Sequence, residues 1–577
     1  MDAHKAIVLL AASGLVACGG GEEQPRHPRS ALLITLDTMR ADALTYLGGH
    51  EGITPNLDAL AAESVVYEAA RTVAPTTMPA HASMLTGLYP PRHTVRDNGL
   101  NALPSSAWTL AEAAQEQGLE TAAFVASIVL ADGCGLAQGF DHYDQPPPPA
   151  LLMPGQYMRR AAYQVRDAFN LWLRRRDASK PFFAWVHLYD PHRPYNPDNP
   201  MRKRDPGDGY LAEVAQVDHA VGRMLEELEG LGLLDETLIL VVADHGEGRG
   251  EHGEVRHSTL IYESTMLVPM ILRYPDGYRA GERSTEIVSV VDVYPTIAEA
   301  LELRGHSMVD GLSLFGRRVD DDRGVYMESY HGFYAYGWSP LAGWADRNGK
   351  YIHASEAEFY AASDVRELEN RIDAMGVEID SYRQAIDRVV RGPALERDAD
   401  DVAAASMLAH LQQLGYTGAG PGDDPTPHPL AETNRPSPRS RIEAMQRFLS
   451  TEELLGRKPD PERAAEILRD IVAENPHNVS AWHQLSSACI RLELYEEAVT
   501  AARKALEHGR AWYGPRNNLG IALHRLGRDD EALEQLVLAT EEAPALTAAV
   551  DTIIQILEDA GRSEEANEVR ARRGQGR

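Results

Sequence analysis

Short apolar runs recur along the first half of the chain, separated by longer stretches that mix apolar and polar residues. The runs are rich in β-branched residues, as buried strands are, and they occupy residues 31–37, 121–127, 181–189, 237–244 and 266–274. Two of the intervening stretches, residues 106–118 and 213–232, carry apolar residues at helical spacing and end at glycine. Strands that alternate with helices predict an α/β fold with a doubly wound, mostly parallel central sheet.

The C-terminal part of the chain has a different period. Four alanines recur at intervals of 33, 34 and 34 residues, namely Ala465, Ala498, Ala532 and Ala566. This spacing resembles the tetratricopeptide repeat, a helix pair in which small residues stand where the helices pack closely. A plain helical bundle is the alternative, but it does not explain three matching intervals. Residues 446–577 are therefore predicted to form an α-helical solenoid that binds a segment of a protein partner.

The N-terminus is typical of an exported protein. In residues 1–17, Lys5 precedes an apolar run that is short for a membrane span but suits an export signal. The ending Leu15-Val16-Ala17-Cys18 resembles the bacterial lipobox, in which the cysteine is acylated; an ordinary signal peptide with a chance cysteine is the alternative. Residues 18–30 are poor in apolar side chains and predict a tether. We expect a bacterial cell-envelope protein, lipid-anchored at Cys18, that faces the periplasm or the outer surface.

The composition of the chain limits which partners and which kinds of metal site are compatible with it. The chain has 86 acidic and 56 basic residues, a formal net charge of -30, which disfavours nucleic acid as a partner. Apart from Cys18, the cysteines are Cys134 and Cys489, so a disulfide framework and a cysteine-rich zinc site are excluded. Residues 421–445 are rich in proline, glycine and charge and are predicted to link a catalytic domain, residues 31–420, to the repeats.

Polar residues follow two of the predicted strands. Asp37 ends the first run, and Asp244 and His245 end the fourth. Ligands gather at the carboxyl ends of parallel strands, so these side chains are candidate ligands of a divalent metal ion. A single aspartate after a strand is more often a turn or cap residue, but the pairing with Asp-His favours a metal site. The imidazole favours Zn or Mn, and Ca or Mg remain compatible with the two carboxylates.

Several motifs occur in a fixed order, at residues 32–48, 77–99, 187–195, 241–253 and 256–275. Together they resemble the sulfatase branch of the alkaline phosphatase superfamily, and residues 350–372 resemble the close of that domain. The resemblance implies a metal-dependent hydrolase of ester bonds. It also implies that Asp37, Asp244, His245 and the hydroxyl of Thr77 hold the metal. Thr38 stands where sulfatases usually have a second aspartate, which leaves one metal or two open.

Thr77 occupies the position of the family's nucleophile. Pro79 fits the first turn of a helix, whose N-terminal amides would face a bound phosphate. Threonine is also a preferred N-cap, so capping is the alternative role. In sulfatases this position is a cysteine or serine that becomes formylglycine, within C/S-x-P-x-R. Here the motif is Thr77-Met78-Pro79-Ala80-His81, and the lysine and histidine of a frequent G-K-W-H stretch are also absent, at residues 125–128.

These departures fit the superfamily's phosphodiesterases and phosphotransferases, which use threonine on phosphorus. Asn98 matches an asparagine that holds a non-bridging oxygen in the phosphonate monoester hydrolase-like branch, although a turn residue is an equal alternative. His192 matches the histidine that faces the leaving group, and His257 falls where relatives often have a lysine. His81, in place of the arginine, is a weaker candidate for oxyanion contact.

The sequence thus predicts a hydrolase of phosphate mono- or diesters that acts through a covalent phosphothreonine at Thr77. The substrate would be a small-molecule, lipid or glycan ester. Three alternatives remain open at this point: a sulfuric ester hydrolase, a transferase of phospho-headgroups in the cell envelope, and an inactive sulfatase-like scaffold whose repeats are the working part.

Overall fold

The structure, a computed structural model, describes most of the chain. The described residues are 24–147, 159–196, 199, 201, 209–304, 308–396, 426–456, 459–508, 513–542 and 547–575. The predicted signal peptide, Cys18 and the first part of the predicted tether lie outside them. So does the first part of the predicted linker. Within the described residues, no helix has the length and apolar character needed to cross a bilayer.

The core of the larger domain is an eight-stranded sheet. Its strands are β1 Ser30–Leu36, β2 Val65–Arg71, β3 Glu120–Phe124, β4 His142–Asp144, β5 Phe182–Leu188, β6 Thr237–Ala243, β7 Met270–Arg273 and β8 Arg283–Ser289. They lie in the order β4-β3-β5-β1-β6-β7-β2-β8, and β7 alone runs antiparallel to its neighbours. The central strands β1, β5 and β6 are buried along their whole length, which explains their continuous apolar runs. The predicted α/β fold is confirmed.

Helices cover both faces of this sheet. They are α1 Pro55–Ala62, α2 Thr77–Thr86, α3 Pro90–His93, α4 Leu110–Glu116, α5 Ala162–Arg175, α6 Gly209–Gly230, α7 Glu263–Met266, α8 Val293–Ala300, α9 His331–Tyr336 and α10 Glu378–Val390. Helices α1, α5 and α6 form one contacting group, and α2, α4 and α8 form another. Helix α2 follows β2 along the chain. Since β2 runs in the same direction as β1 and β6, α2 begins at the edge of the sheet where these strands end.

A smaller antiparallel sheet adjoins the large one. Its strands are β9 Val325–Ser329, β10 Leu341–Asp346, β11 Gly349–His353 and β12 Glu358–Ala361, in the order β12-β11-β10-β9. Lys350, on β11, is buried and forms ion pairs with Glu367 and, at 2.8 Å, with Glu263. The backbone N–H of Glu328 on β9 donates to the carbonyl of Val73 at 2.9 Å, close to the start of α2. The small sheet thus supports the segment that leads to Thr77.

The C-terminal part consists of helices. They are α11 Ile442–Leu455, α12 Pro461–Glu474, α13 Val479–Arg491, α14 Tyr495–His508, α15 Tyr513–Arg525, α16 Asp529–Glu542, α17 Thr547–Asp559 and α18 Ser563–Gln575. Each helix packs against the next along the chain. The four alanines that recur in the sequence are fully buried, as expected where helices approach closely. Helix α11 begins within the segment that the sequence predicts to be a linker.

Candidate active site

The candidate metal ligands meet at the carboxyl ends of two adjacent strands. Strands β1 and β6 pair in parallel with Leu36 opposite Ala243, so Asp37 and Asp244 leave the sheet side by side. With His245, their ligand atoms all lie within 4.8 Å of one another. All three residues are fully buried. The topology therefore brings together the three residues that the sequence singled out.

Backbone groups fix the orientation of this cluster. The Nδ1–H of His245 donates to the carbonyl of Gly246 at 2.9 Å, which leaves a lone pair on Nε2 of the neutral ring. Asp244 uses Oδ1 to accept the backbone N–H groups of Thr38, at 3.2 Å, and of His245, at 2.7 Å. His245 Nε2 contacts the hydroxyl of Thr77, and the second oxygen of Asp244 has no hydrogen-bond partner among the described residues.

The remaining donor atoms fit a divalent cation. Asp37 Oδ1 and Asp244 Oδ2 are buried and have no hydrogen-bond partner among the described residues. Burial raises the pKa of Asp37 to about 7, and burial together with Asp37 raises the pKa of Asp244 above its ordinary value. Although burial opposes the charged ring, Asp244 and Asp37 raise the pKa of His245. Buried carboxylates without partners are costly, and a bound cation removes that cost.

We expect the metal-free protein to lose stability as the pH rises from about 4 to about 7. The pKa of Asp37 rises from 3.8 to about 7 on folding, so its contribution is present below the unfolded value and is lost as the pH passes the folded one. Thermal melts of the protein treated with a chelator, between pH 4 and pH 8, measure this contribution of Asp37 when they are compared with melts of Asp37→Asn. A pH dependence shared by both proteins would contradict it, and adding a divalent cation should restore stability at pH 7.

A second group, His81, His187 and Asp244, also has ligand atoms within 4.8 Å of one another. The ring nitrogens of His81 are already engaged, Nδ1 with the carbonyl of Thr77 at 2.8 Å and Nε2 with the hydroxyl of Thr35 at 2.9 Å. Burial lowers the pKa of His81 to about 3, so the ring is neutral. His81 supports Thr77 from the core, which corrects its prediction as an oxyanion contact.

His187 also supports the cluster. Its Nε2–H donates to Asp37 Oδ2 at 3.2 Å, and its Nδ1 accepts the backbone N–H of Ala126 at 3.3 Å. Burial lowers the pKa of His187 to about 4, which keeps the ring neutral. His187 thereby fixes Oδ2 of Asp37, and Oδ1 of Asp37 remains without a partner among the described residues.

Thr77 stands at the mouth of the cluster. It is the first residue of α2, it is buried, and its hydroxyl lies 3.3 Å from His245 Nε2. The N-cap is the preceding residue, Thr76, which has extended backbone angles. The hydroxyl of Thr77 is therefore not the cap of the helix. It faces the cluster at the end of α2 where unsatisfied N–H groups favour an anion.

Asn98 lies next to Thr77. Its Oδ1 accepts the backbone N–H of Met78 at 2.8 Å, so the oxygen of the side-chain amide faces the helix. The Nδ2 group is left as a donor for another acceptor. Such an arrangement suits an oxygen that develops negative charge beside the nucleophile.

Two further histidines complete the wall of the site. The ring centroid of His257 lies 4.5 Å from that of His245 and 5.0 Å from that of His192. Burial lowers the pKa of both His192 and His257 well below the ordinary value. Nδ1 of His192 contacts the carbonyl of Arg193 at 2.5 Å and the hydroxyl of Tyr189 at 2.7 Å, which fix the orientation of the ring. Asn98, His192 and His257, which the motifs predicted, thus lie around Thr77 and the metal-ligand cluster. His81 lies on the core side of Thr77.

Sequence reasoning missed Glu247 and the pair formed by Asp97 and His331. Glu247 is buried, its Oε1 lies 3.1 Å from His257 Nδ1, and its Oε2 has no partner among the described residues. Asp97 Oδ2 lies 3.1 Å from His331 Nδ1. Glu247 follows Asp244-His245 so closely that its position could have indicated a role, whereas no local pattern marks His331.

Comparison with known families agrees with this geometry. The sulfatase family model matches residues 29–303, which hold the eight-stranded sheet and the metal-ligand cluster. Over these residues the chain is similar to the sulfatase family, and they are named the sulfatase-family domain. The tetratricopeptide repeat model matches residues 479–507, within the C-terminal helices. The chain therefore combines a domain that matches the sulfatase family with a region that matches the tetratricopeptide repeat.

The sulfatase-family domain has relatives of known sequence. An ulvan-active sulfatase of Formosa agariphila is 28% identical over 338 residues, which cover 50% of this chain and 64% of the relative. An arylsulfatase of Clostridium perfringens is 23% identical over 450 residues, which cover 62% of this chain and 92% of the relative. The chain thus spans less than two thirds of the length of the first of these relatives.

Solved structures share the fold of the sulfatase-family domain. The phosphonate monoester hydrolase of Agrobacterium radiobacter superposes with a TM-score of 0.52 and 23% identity, covering 63% of this chain and 95% of that chain. A protein in complex with its substrate D-glucosamine-2-N,6-O-disulfate superposes with a TM-score of 0.53 and 20% identity, covering 63% and 97%. At these identities the likeness establishes the fold, which is common to proteins that act on phosphorus and on sulfur esters.

Proposed function

We propose that the protein is a metal-dependent hydrolase that cleaves phosphate mono- and diesters through a covalent intermediate on Thr77. The observation that carries this proposal is the position of the Thr77 hydroxyl. It lies at the start of α2 without capping the helix, 3.3 Å from His245 Nε2. Threonine cannot become the formylglycine of the sulfatases that the sequence resembles. An alcohol in this position suits direct attack on phosphorus, which needs positioning and charge neutralisation above all.

Asp37, Asp244 and His245 would hold the metal, together with the hydroxyl of Thr77. When bound, a divalent cation supplies positive charge that favours the alkoxide form of a nearby hydroxyl and balances the charge of a phosphoryl group. The imidazole of His245 favours Zn or Mn, and the two carboxylates also accept Ca or Mg. Elemental analysis of the purified protein identifies the ion.

The proposed reaction has two displacements. Thr77 releases its proton to solvent, and its oxygen attacks the phosphorus while the bond from phosphorus to the leaving oxygen breaks. The negative charge of the bound phosphate ester would raise the pKa of the neighbouring imidazoles, so that His192 or His257 carries a proton and donates it to that oxygen. A water molecule then attacks the phosphothreonine, returns a proton to the imidazole and releases the phosphate product, and the Thr77 oxygen regains its proton. Asn98 Nδ2 supports a non-bridging oxygen in both steps.

We expect His192→Ala to act selectively on esters with poor leaving groups. An alkoxide needs a proton as it departs, whereas a nitrophenolate does not, so kcat should fall by about 10²-fold for an alkyl phosphate ester and little for a nitrophenyl ester. Parallel assays on the two substrate types measure the difference. An equal loss on both would assign the proton donation elsewhere, and the same assays on His257→Ala would then show whether that residue supplies it.

Sulfate ester hydrolysis is the alternative that the sulfatase names of the relatives support. Assays on a phosphodiester, a phosphomonoester and a sulfate ester, with the same enzyme preparation, decide between them. We propose phosphate turnover at least as fast as sulfate turnover. Adding alcohol acceptors to the same assays separates hydrolysis from transfer of a phospho-headgroup, since transfer gives a phosphate ester of the added alcohol. An inactive scaffold would give no turnover, and the buried unpaired carboxylates argue against it.

We also propose that the protein is attached to the cell envelope through a lipid at Cys18 and that its repeats bind a protein partner. Cys18→Ser should release the protein from the membrane fraction. Retention of that variant would show that another feature anchors it.

A further inference from the structure

Helix α9 extends from the active site to the repeat domain, defined here as α11 to α18. Nδ1 of its first residue, His331, lies 3.1 Å from Asp97 Oδ2. Its last residue, Tyr336, is buried, with its ring centroid 5.5 Å from that of Phe448 and 4.6 Å from that of Trp338. Tyr336 belongs to the same apolar cluster as the repeat helices. A helix of six residues therefore spans the distance between the two regions.

Hydrogen bonds continue from His331 to the nucleophile. Asp97 Oδ1 accepts the backbone N–H of Asn98 at 2.9 Å while Oδ2 faces His331. Asn98 in turn accepts the backbone N–H of Met78, the neighbour of Thr77. His331 thus contacts Asp97, Asp97 fixes the backbone of Asn98, and the side chain of Asn98 contacts the start of α2.

The repeat domain holds the far end of α9 tightly. Asn475 donates from Nδ2 to the carbonyl of Tyr336 at 2.6 Å. Gly337 ends α9 with a φ of +70°, and a Cβ at this position would lie 2.8 Å from the Cβ of His477. A side chain at Gly337 would therefore be strained by its backbone angle and would collide with the repeat domain. The contact surface leaves α9 little freedom to move.

Helix α11, which carries Phe448, also contacts the other side of the site. Gln446, on α11, donates to the carbonyl of Gly253 at 2.8 Å. Glu452, also on α11, forms an ion pair with Arg256 at 2.9 Å. Arg256 precedes His257, so α11 supports the segment that carries this histidine.

We propose that the repeat domain is a structural part of the catalytic site and that it fixes α9 so that His331 and Asp97 hold Asn98 beside Thr77. His331, Asp97, Tyr336 and Phe448 are then positioning residues. The inference deepens the proposed function and rests on it for the role of Asn98. The sulfatase family model ends at residue 303, before α9, so this support lies outside the part of the chain that matches the family model.

The test compares variants of the full-length chain on the ester that the wild type cleaves fastest. His331→Ala and Phe448→Ala should lower kcat by about 10- to 100-fold with little change in KM, because misplaced supporting groups affect the transition state more than ground-state binding. His331→Asn should retain most of the activity, since its Nδ2–H can replace the Nδ1–H that faces Asp97. Leu536→Ala, which opens a cavity in α16 away from α9, is the matched control and should leave kcat unchanged.

Hydrogen–deuterium exchange of residues 94–99 gives a readout that does not depend on activity. His331→Ala and Phe448→Ala should speed exchange of this segment, and Leu536→Ala should not, at a temperature where melting curves show every variant folded. If Phe448→Ala does not fold, Asn475→Ala removes the polar contact with Tyr336 without opening a cavity.

The outcomes separate this inference from the proposed function. Turnover of sulfate esters alone would end the phosphoesterase proposal, but the ratios of the variants would still test the role of α9. Unchanged kcat and unchanged exchange in His331→Ala would overturn the inference while Thr77→Ala remained inactive. Equal effects of Phe448→Ala and Leu536→Ala would also overturn it, since they would reflect general loss of stability.

Discussion

Thr77→Ala is expected to abolish turnover, lowering kcat by at least about 10³-fold on every phosphate ester that the wild type cleaves. The methyl of alanine cannot attack phosphorus, and no other described hydroxyl is bonded to His245 Nε2. The fold should survive, because Thr76, not Thr77, is the N-cap of α2. Steady-state kinetics with a thermal melt of the same preparation measure both effects.

Thr77→Ser is the matched control for this substitution. It keeps the hydroxyl and removes one methyl group from a buried position, so it should retain a substantial part of the activity. Full activity of Thr77→Ala would rule out a covalent mechanism on this residue. Equal losses in both variants would show that the methyl group, not the hydroxyl, is what the site requires.

Asp244→Asn should lose the metal ion and, with it, at least about 10³-fold in kcat. Asparagine keeps the shape of the side chain and an oxygen that can accept the N–H groups of Thr38 and His245. It lacks the negative charge that the cation needs. Elemental analysis and kinetics on the same sample should therefore show both losses together.

Asp218→Asn is the control for a buried aspartate elsewhere in the domain. Asp218 accepts the backbone N–H groups of Asn56 and Leu57 at the start of α1 and is not part of the site. Its substitution should leave the metal content and kcat near the wild-type values. A metal content of Asp244→Asn equal to that of wild type would contradict the assignment of this ligand.

The central strands and the metal-ligand cluster could be predicted because their signals are local. β1, β5 and β6 are buried on both faces, so their sequences are continuous apolar runs, and Asp37 and Asp244 follow directly. The outer strands gave weaker signals. β8 mixes exposed, half-buried and buried residues, and β4 has only three residues, so neither forms an apolar run.

The support of the site could not be predicted because it depends on contacts distant in sequence. His331 lies 234 residues from Asp97, and Tyr336 meets Phe448 through a helix of six residues. His81 illustrates the opposite case. Its place in the nucleophile motif suggested contact with substrate, but the fold gives both of its ring nitrogens partners in the core.

The most direct test of the central claim is mass spectrometry of the peptide that contains Thr77, after the enzyme has been quenched with acid during turnover of a phosphate ester. We predict a phosphoryl group on Thr77 that is present during turnover, absent without substrate and absent from Thr77→Ala. Rapid turnover with no phosphoryl group on Thr77 at any quench time, and with water attacking phosphorus in a single displacement that inverts its configuration, would contradict it.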